Sequence, residues 1–122
     1  MFTISDSPAE RVAELVESLP QYVKIGPYQF RLEMWTAQQA MGARRYGECS
    51  TVEQRISIQR DHVCPVRLLD TVLHEINHAL FWLCNLGDDD KEEHIVGHLA
   101  TAQVQLFADN PWLHTFIQRA LI

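Results

Sequence analysis

The sequence predicts an α+β fold in a single domain over residues 1–122, and three observations support this prediction. A chain of 122 residues can bury one modest hydrophobic core but not two. Its 47% hydrophobic and 21% charged residues are typical of globular proteins. Apolar residues alternate with polar ones in part of the first half and recur at helical spacing in the second. We therefore expect a small sheet followed by packed helices.

Charge and composition argue against several classes of partner. The excess of 16 acidic over 10 basic residues gives a net charge of −6, which disfavours nucleic acid as a partner. No apolar run approaches the roughly 20 residues that span a bilayer, and the N-terminus lacks the features of a signal peptide. Cys49, Cys64 and Cys84 show no paired spacing. We expect a cytoplasmic protein with three reduced thiols and no membrane partner.

The N-terminal segment carries the signals of a short amphipathic helix. Ser7 is a good N-cap, Pro8 suits the first helical position, and Glu10 completes a capping-box pattern. One apolar stripe follows before Pro20 and consists of Val12, Leu15, Val16 and Leu19. The pattern predicts a helix that begins at Pro8.

Two stretches alternate with the period of a strand, one around residues 28–35 and one around 55–59. The dipeptide at residues 26–27 predicts a turn before the first stretch. Residues 37–50 fit a loop, a turn or another strand equally well. Because no helix-length crossover is evident, we expect a small antiparallel sheet. The strand at 55–59 could form an exposed edge that pairs with an extended peptide.

Three helices are predicted after the sheet. Pro65 begins a strongly periodic apolar segment that continues to the stop signal at residues 85–87. The aspartates at residues 88–90 then offer an N-cap for a second helix, which runs to the break at Asn110 and Pro111. Residues 111–122 predict a short terminal helix.

The first of these helices contains His74, Glu75 and His78 in the pattern H-E-x-x-H. Histidines four residues apart project from one face of a helix and can reach one metal ion, whereas the intervening glutamate is placed to accept a proton from water. A catalytic zinc has three protein ligands and an open position. The pattern therefore predicts zinc held by His74 and His78, with Glu75 as the catalytic general base.

The third ligand is expected from the following helix. Glu93 shares a stripe with the small residues Gly97 and Ala100, which would permit close approach of the two helices. Glu92 is the alternative. The four other histidines, His62, His94, His98 and His114, stand at spacings that match no further site, although any of them, or Tyr46, could stabilise an oxyanion.

Four segments together resemble a family of small phage- and prophage-encoded zinc metallopeptidases, which are minimal zincins of the gluzincin type. The segments are Thr71–Leu80, Glu92–Glu93, Leu99–Ala100 and Asp109–Pro111, and the resemblance covers roughly residues 64–113. It implies a single metallopeptidase domain in which an N-terminal helix and a small sheet accompany the active-site helix and a crossing helix. It also supports Glu93 as the third zinc ligand.

The resemblance implies zinc-dependent hydrolysis of peptide bonds in a peptide or protein substrate, in a bacterial cell or a phage-infected host. Two other hypotheses remain. The first is a non-catalytic zinc protein with a structural or regulatory role, in which the same ligands hold a structural metal. The second is a metal-free helical interaction protein. The sequence names no substrate, specificity or oligomeric state.

Overall fold

The computed structural model describes residues 7–87 and 91–122 and has an α+β architecture, as predicted. Within these residues the elements follow in the order α1 (Pro8–Glu17), β1 (Tyr22–Ile25), β2 (Tyr28–Trp35), α2 (Ala37–Ala43), β3 (Gly47–Ser50), β4 (Arg55–Gln59), α3 (Pro65–Leu83), α4 (Glu92–Asp109) and α5 (Pro111–Leu121). The predicted N-cap at residues 88–90 lies outside the described residues.

Local signals in the sequence set most helix boundaries. The hydroxyl of Ser7 accepts a hydrogen bond from the backbone N–H of Glu10 at 3.2 Å, which confirms the predicted N-cap of α1. Proline occupies the start of α1, α3 and α5, where its missing N–H costs no helical hydrogen bond. Pro8 and Pro65 predicted the starts of α1 and α3, whereas Pro111 was predicted only as the break before the terminal helix.

The segment that the sequence left undecided contains both α2 and β3. Thr36 and Gln39 form a reciprocal capping box at the start of α2, and Arg44 ends the helix in the left-handed region, with φ 59°. The T-x-x-Q signal for this helix is present in the sequence. Because α2 spans only Ala37–Ala43, its apolar periodicity is too short to reveal it.

The four strands form one mixed sheet in the order β1-β2-β4-β3. The β1–β2 and β3–β4 pairs are antiparallel, but β2 and β4 run parallel. The prediction of an antiparallel sheet was therefore wrong at its central pair. A parallel pair needs a long crossover, and α2 together with β3 supplies that connection between Trp35 and Arg55.

The strand order also corrects the predicted edge. β4 lies between β2 and β3, so its backbone is paired on both sides, whereas β3 forms an edge of the sheet. On the opposite edge, β1, the side chain of Asn110 occupies the backbone hydrogen-bonding groups of Lys24. This amide accepts a hydrogen bond from the N–H of Lys24 at 2.9 Å and donates one to its carbonyl at 2.8 Å.

One hydrophobic cluster joins the sheet to α1, α3, α4 and α5. Phe30, Ile56 and Ile58 from the sheet and Leu68 and Ile76 from α3 are completely or almost completely buried in it. α3 packs on β3 and β4. The exposed residues along one side of this helix therefore lie next to the β3 edge of the sheet. No helix of the described residues combines the length and the apolar character needed to cross a membrane.

Candidate metal site

His74 and His78 lie side by side on one exposed face of α3. Both side chains are exposed, and their Nε2 atoms are 3.2 Å apart. The ring centroids are 4.9 Å apart with an angle of 76° between the ring planes. The two imidazoles therefore converge as the four-residue spacing predicts.

The chemistry and the spacing of these nitrogens fit zinc. Zinc binds histidine nitrogen at about 2.0–2.1 Å, and two nitrogens 3.2 Å apart would then subtend roughly 100–106° at the metal. This angle is close to the tetrahedral value. Among the described residues, the group of potential ligands that converges within 4.8 Å consists of His74, Glu75 and His78.

Glu75 is buried, with 6% of its surface exposed, although it stands next to two exposed histidines. It points beneath β3, where burial raises the pKa of its carboxyl group. Electrostatic interactions with His74, His78 and Arg45 oppose this shift, while the nearby Glu48 adds to it. A carboxyl group with a raised pKa is better matched to proton transfer near neutral pH than an ordinary one.

The carboxylate of Glu75 occupies space left by a glycine of β3. A Cβ atom on Gly47 would stand 3.0 Å from both Cγ and Oε2 of Glu75, and 2.9 Å from the carbonyl oxygen of Ser57. Real Cβ atoms essentially never approach another atom to 2.9 Å. Because position 47 has no side chain, the backbone of β3 lies directly against the carboxylate of Glu75.

A cleft of about 710 Å³ opens over this group, between α3 and the segment that leads into β3. Its lining includes Arg45, Tyr46, Gly47, Glu48, Cys49, Thr51, Asp70, Thr71, His74, Glu75, His78 and Trp82. The predicted histidines and general base therefore lie on the wall of a cleft large enough for a small ligand or part of a peptide.

Several of these lining residues were not predicted. Arg45, Gly47, Glu48 and Cys49 belong to the segment that the sequence left undecided, and nothing local to them signals a site. Burial, together with smaller contributions from the negative charges of Glu75 and then Glu48, raises the pKa of the Cys49 thiol to about 11. Tyr46 was a candidate oxyanion stabiliser, and it lines the cleft.

Glu93 lies elsewhere in the structure. It is exposed in the first turn of α4 and lines a separate depression with Leu83, Cys84, His94 and His98. It is not part of the converging group of His74, Glu75 and His78. Its role as the third ligand therefore stays a prediction.

Comparisons of the chain with models of known protein families, with curated proteins and with solved structures found no match.

Proposed function

We propose that this protein is a zinc-dependent peptidase. The observation that carries the proposal is the convergence of His74, Glu75 and His78 on the wall of an open cleft. His74 and His78 would hold the metal through their Nε2 atoms. Zinc, when bound, supplies a Lewis acid and lowers the pKa of a water toward neutrality.

Glu75 is the residue that moves protons in this proposal. Its carboxylate lies beside the two imidazoles, and burial favours its protonated form more than solvent would. It accepts a proton from the attacking water and delivers it to the nitrogen of the leaving amine. Between these two steps the same burial that raises its pKa stabilises the protonated carboxyl group.

The free edge of β3 supports an extended peptide as the substrate. Within the described part of the chain, β3 pairs with β4 alone, and its residues Gly47–Cys49 line the cleft. An unpaired strand edge offers backbone donors and acceptors to an extended chain. At the other edge Asn110 occupies the backbone N–H and carbonyl of Lys24, so the two edges differ in availability.

Glu93 remains our proposed third ligand, with Glu92 as the alternative. Ligation by either glutamate requires the first turn of α4 to approach His74 and His78 more closely than it does here. The cleft itself holds two other carboxylates, those of Glu48 and Asp70. Metal binding by variants at each position identifies the ligand.

Replacement of Glu75 by glutamine tests the proposal. Glu75→Gln preserves the shape of the side chain but cannot accept a proton, so we expect zinc to be retained while hydrolysis falls at least about 100-fold. The assay measures cleavage of an unfolded-protein or peptide library, and metal content is measured on the same samples. Glu53→Gln, at an exposed position between β3 and β4, is the matched control.

Each other outcome favours a different hypothesis. Equal hydrolysis by the parent and Glu75→Gln would contradict the assigned general base. Loss of zinc from Glu75→Gln would make Glu75 a ligand. An inactive parent whose bound zinc does not accept a small hydroxamate would favour the structural or regulatory zinc protein, and a parent without metal affinity would favour the interaction protein.

A further inference from the structure

A second pair of histidines lies on α4, away from the cleft. His94 and His98 are four residues apart, both are exposed, and their ring centroids are 4.3 Å apart. This separation is shorter than the 4.9 Å between the rings of His74 and His78. The pair therefore has the helical spacing from which two imidazoles can reach one metal ion, and its rings lie close together.

The pair borders a surface depression that also contains a carboxylate. His94 and His98 line a depression of about 780 Å³ together with the carboxylate-bearing Glu93. Glu92 and Glu93 occupy the first turn of α4, where their negative charges offset the positive end of the helix dipole. The thiol of Cys84 reaches the backbone carbonyl of His98 at 3.6 Å and thus borders the same depression.

This depression is distinct from the cleft. It is lined by residues near the C-terminal end of α3 and by α4, and it shares no lining residue with the cleft over His74 and His78. The residue after His94 is Ile95, whereas the residue after His74 is the general-base candidate Glu75. The second pair therefore does not carry the H-E-x-x-H pattern of the cleft.

We propose that His94 and His98 form a second metal site for a borderline transition-metal dication such as Zn²⁺, Ni²⁺ or Cu²⁺. Imidazole nitrogen suits these ions, and water completes the coordination of a site with two protein ligands. A metal bound here joins two successive turns of α4. Because such an ion binds the helical arrangement of the two imidazoles more tightly than a random coil, it stabilises this part of the fold.

The test counts Ni²⁺ ions bound by the full chain, purified without a metal-binding tag, in equilibrium dialysis. The double variant His94→Gln/His98→Gln is compared with His74→Gln/His78→Gln and with the parent. We expect the first variant to bind one equivalent less than the parent, and the second to retain the equivalent that the first has lost. Circular dichroism verifies that each variant is folded.

His114→Gln is the control, since it removes an exposed histidine that belongs to neither pair. The proposal is overturned if His94→Gln/His98→Gln binds as much Ni²⁺ as the parent, or if the control loses an equal amount. It is also overturned if His74→Gln/His78→Gln binds none. These results do not depend on peptidase activity, so the site and the proposed function can fail separately.

Discussion

Gly47 of β3 and Glu75 of α3 fit against each other so closely that the glycine has no room for a side chain. A Cβ at position 47 would meet Cγ and Oε2 of Glu75 at 3.0 Å. It would also meet the backbone oxygen of Ser57 at 2.9 Å, so part of the strain could not be relieved by a side-chain rotation. Gly47 thus determines where the carboxylate of Glu75 can lie.

The first prediction follows from this contact. Gly47→Ala should displace the carboxylate of Glu75 and lower peptide hydrolysis by about 100-fold, the loss associated with a misplacement of roughly 1 Å. Zinc content should not change if His74 and His78 hold the metal with a third residue other than Glu75. The measurements are kcat/KM and metal content of the purified variant.

Gly42→Ala is the control for this substitution. A Cβ at Gly42 would meet nothing within 4 Å, and because the residue lies in α2, alanine should stabilise the helix by about 0.5–1 kcal/mol. Full activity in Gly47→Ala would show that the position of Glu75 does not depend on this contact.

The second prediction concerns the metal ligands. Replacement of either His74 or His78 by alanine should abolish stoichiometric zinc binding at the cleft, because one remaining imidazole cannot form the chelate. His114→Ala, which changes an exposed histidine on α5, should leave zinc binding unchanged. Elemental analysis at equal protein concentration measures the difference in variants that also carry His94→Gln and His98→Gln, and a full equivalent retained by both cleft variants would disprove the assignment.

The same analysis decides between the two glutamates of α4. If Glu93 is the third ligand, Glu93→Gln should weaken zinc binding more than Glu92→Gln. The reverse order would move the ligand to Glu92. Equal affinities in both variants, with weaker binding by Glu48→Gln or Asp70→Asn, would place the third donor in the cleft.

The third prediction concerns the reactivity of Cys49. Because the pKa of the Cys49 thiol is raised from 9.0 to about 11, the ionised fraction at pH 8 falls from about one thiol in ten to about one in a thousand. Alkylation of Cys49 in the folded protein should therefore be at least about 100-fold slower than after denaturation. The rate should rise with pH up to about 11, as the thiolate forms.

Removal of the negative charge at Glu75 should lower the pKa of Cys49, because that charge is one cause of its shift. Glu75→Gln should thus alkylate faster at Cys49 than the parent, and Glu53→Gln should not. Mass spectrometry of the alkylated protein measures both rates.

In freshly isolated, denatured protein all three cysteines should titrate, and recovery of one thiol would reveal a disulfide.

The fourth prediction tests the covered edge of the sheet. Asn110 is buried and also donates a hydrogen bond to the carbonyl of Leu106 at 2.8 Å. Asn110→Ala leaves the backbone N–H and carbonyl of Lys24 without these partners, and should lower the free energy of unfolding by at least about 2 kcal/mol. Urea denaturation measures it, with Gln118→Ala at an exposed position of α5 as the control. A loss no larger than in the control would mean that water replaces the amide at this edge.

The site residues that the sequence predicted lie close together in the chain, whereas those that it did not predict come from a different segment. His74, Glu75 and His78 converge because their positions on one helix are enough to bring them together. The packing of β3 on α3 brings Gly47, Glu48 and Cys49 next to them. No residue spacing within either segment predicts this packing. The relation between His94 and His98 is local too, and their four-residue spacing could have revealed it.

The sequence by itself determined the α+β class, the starts of α1, α3 and α5, and the pair of histidines with its neighbouring glutamate. Proline at a helix start, apolar periodicity and side-chain spacing act over a few residues, so they can be interpreted without the rest of the chain. Only the tertiary structure decided that β2 and β4 run parallel, that β3 forms the free edge, and that Glu93 faces a separate depression. These features depend on contacts between segments that are far apart in the chain. No local sequence pattern indicates the free energies of those contacts.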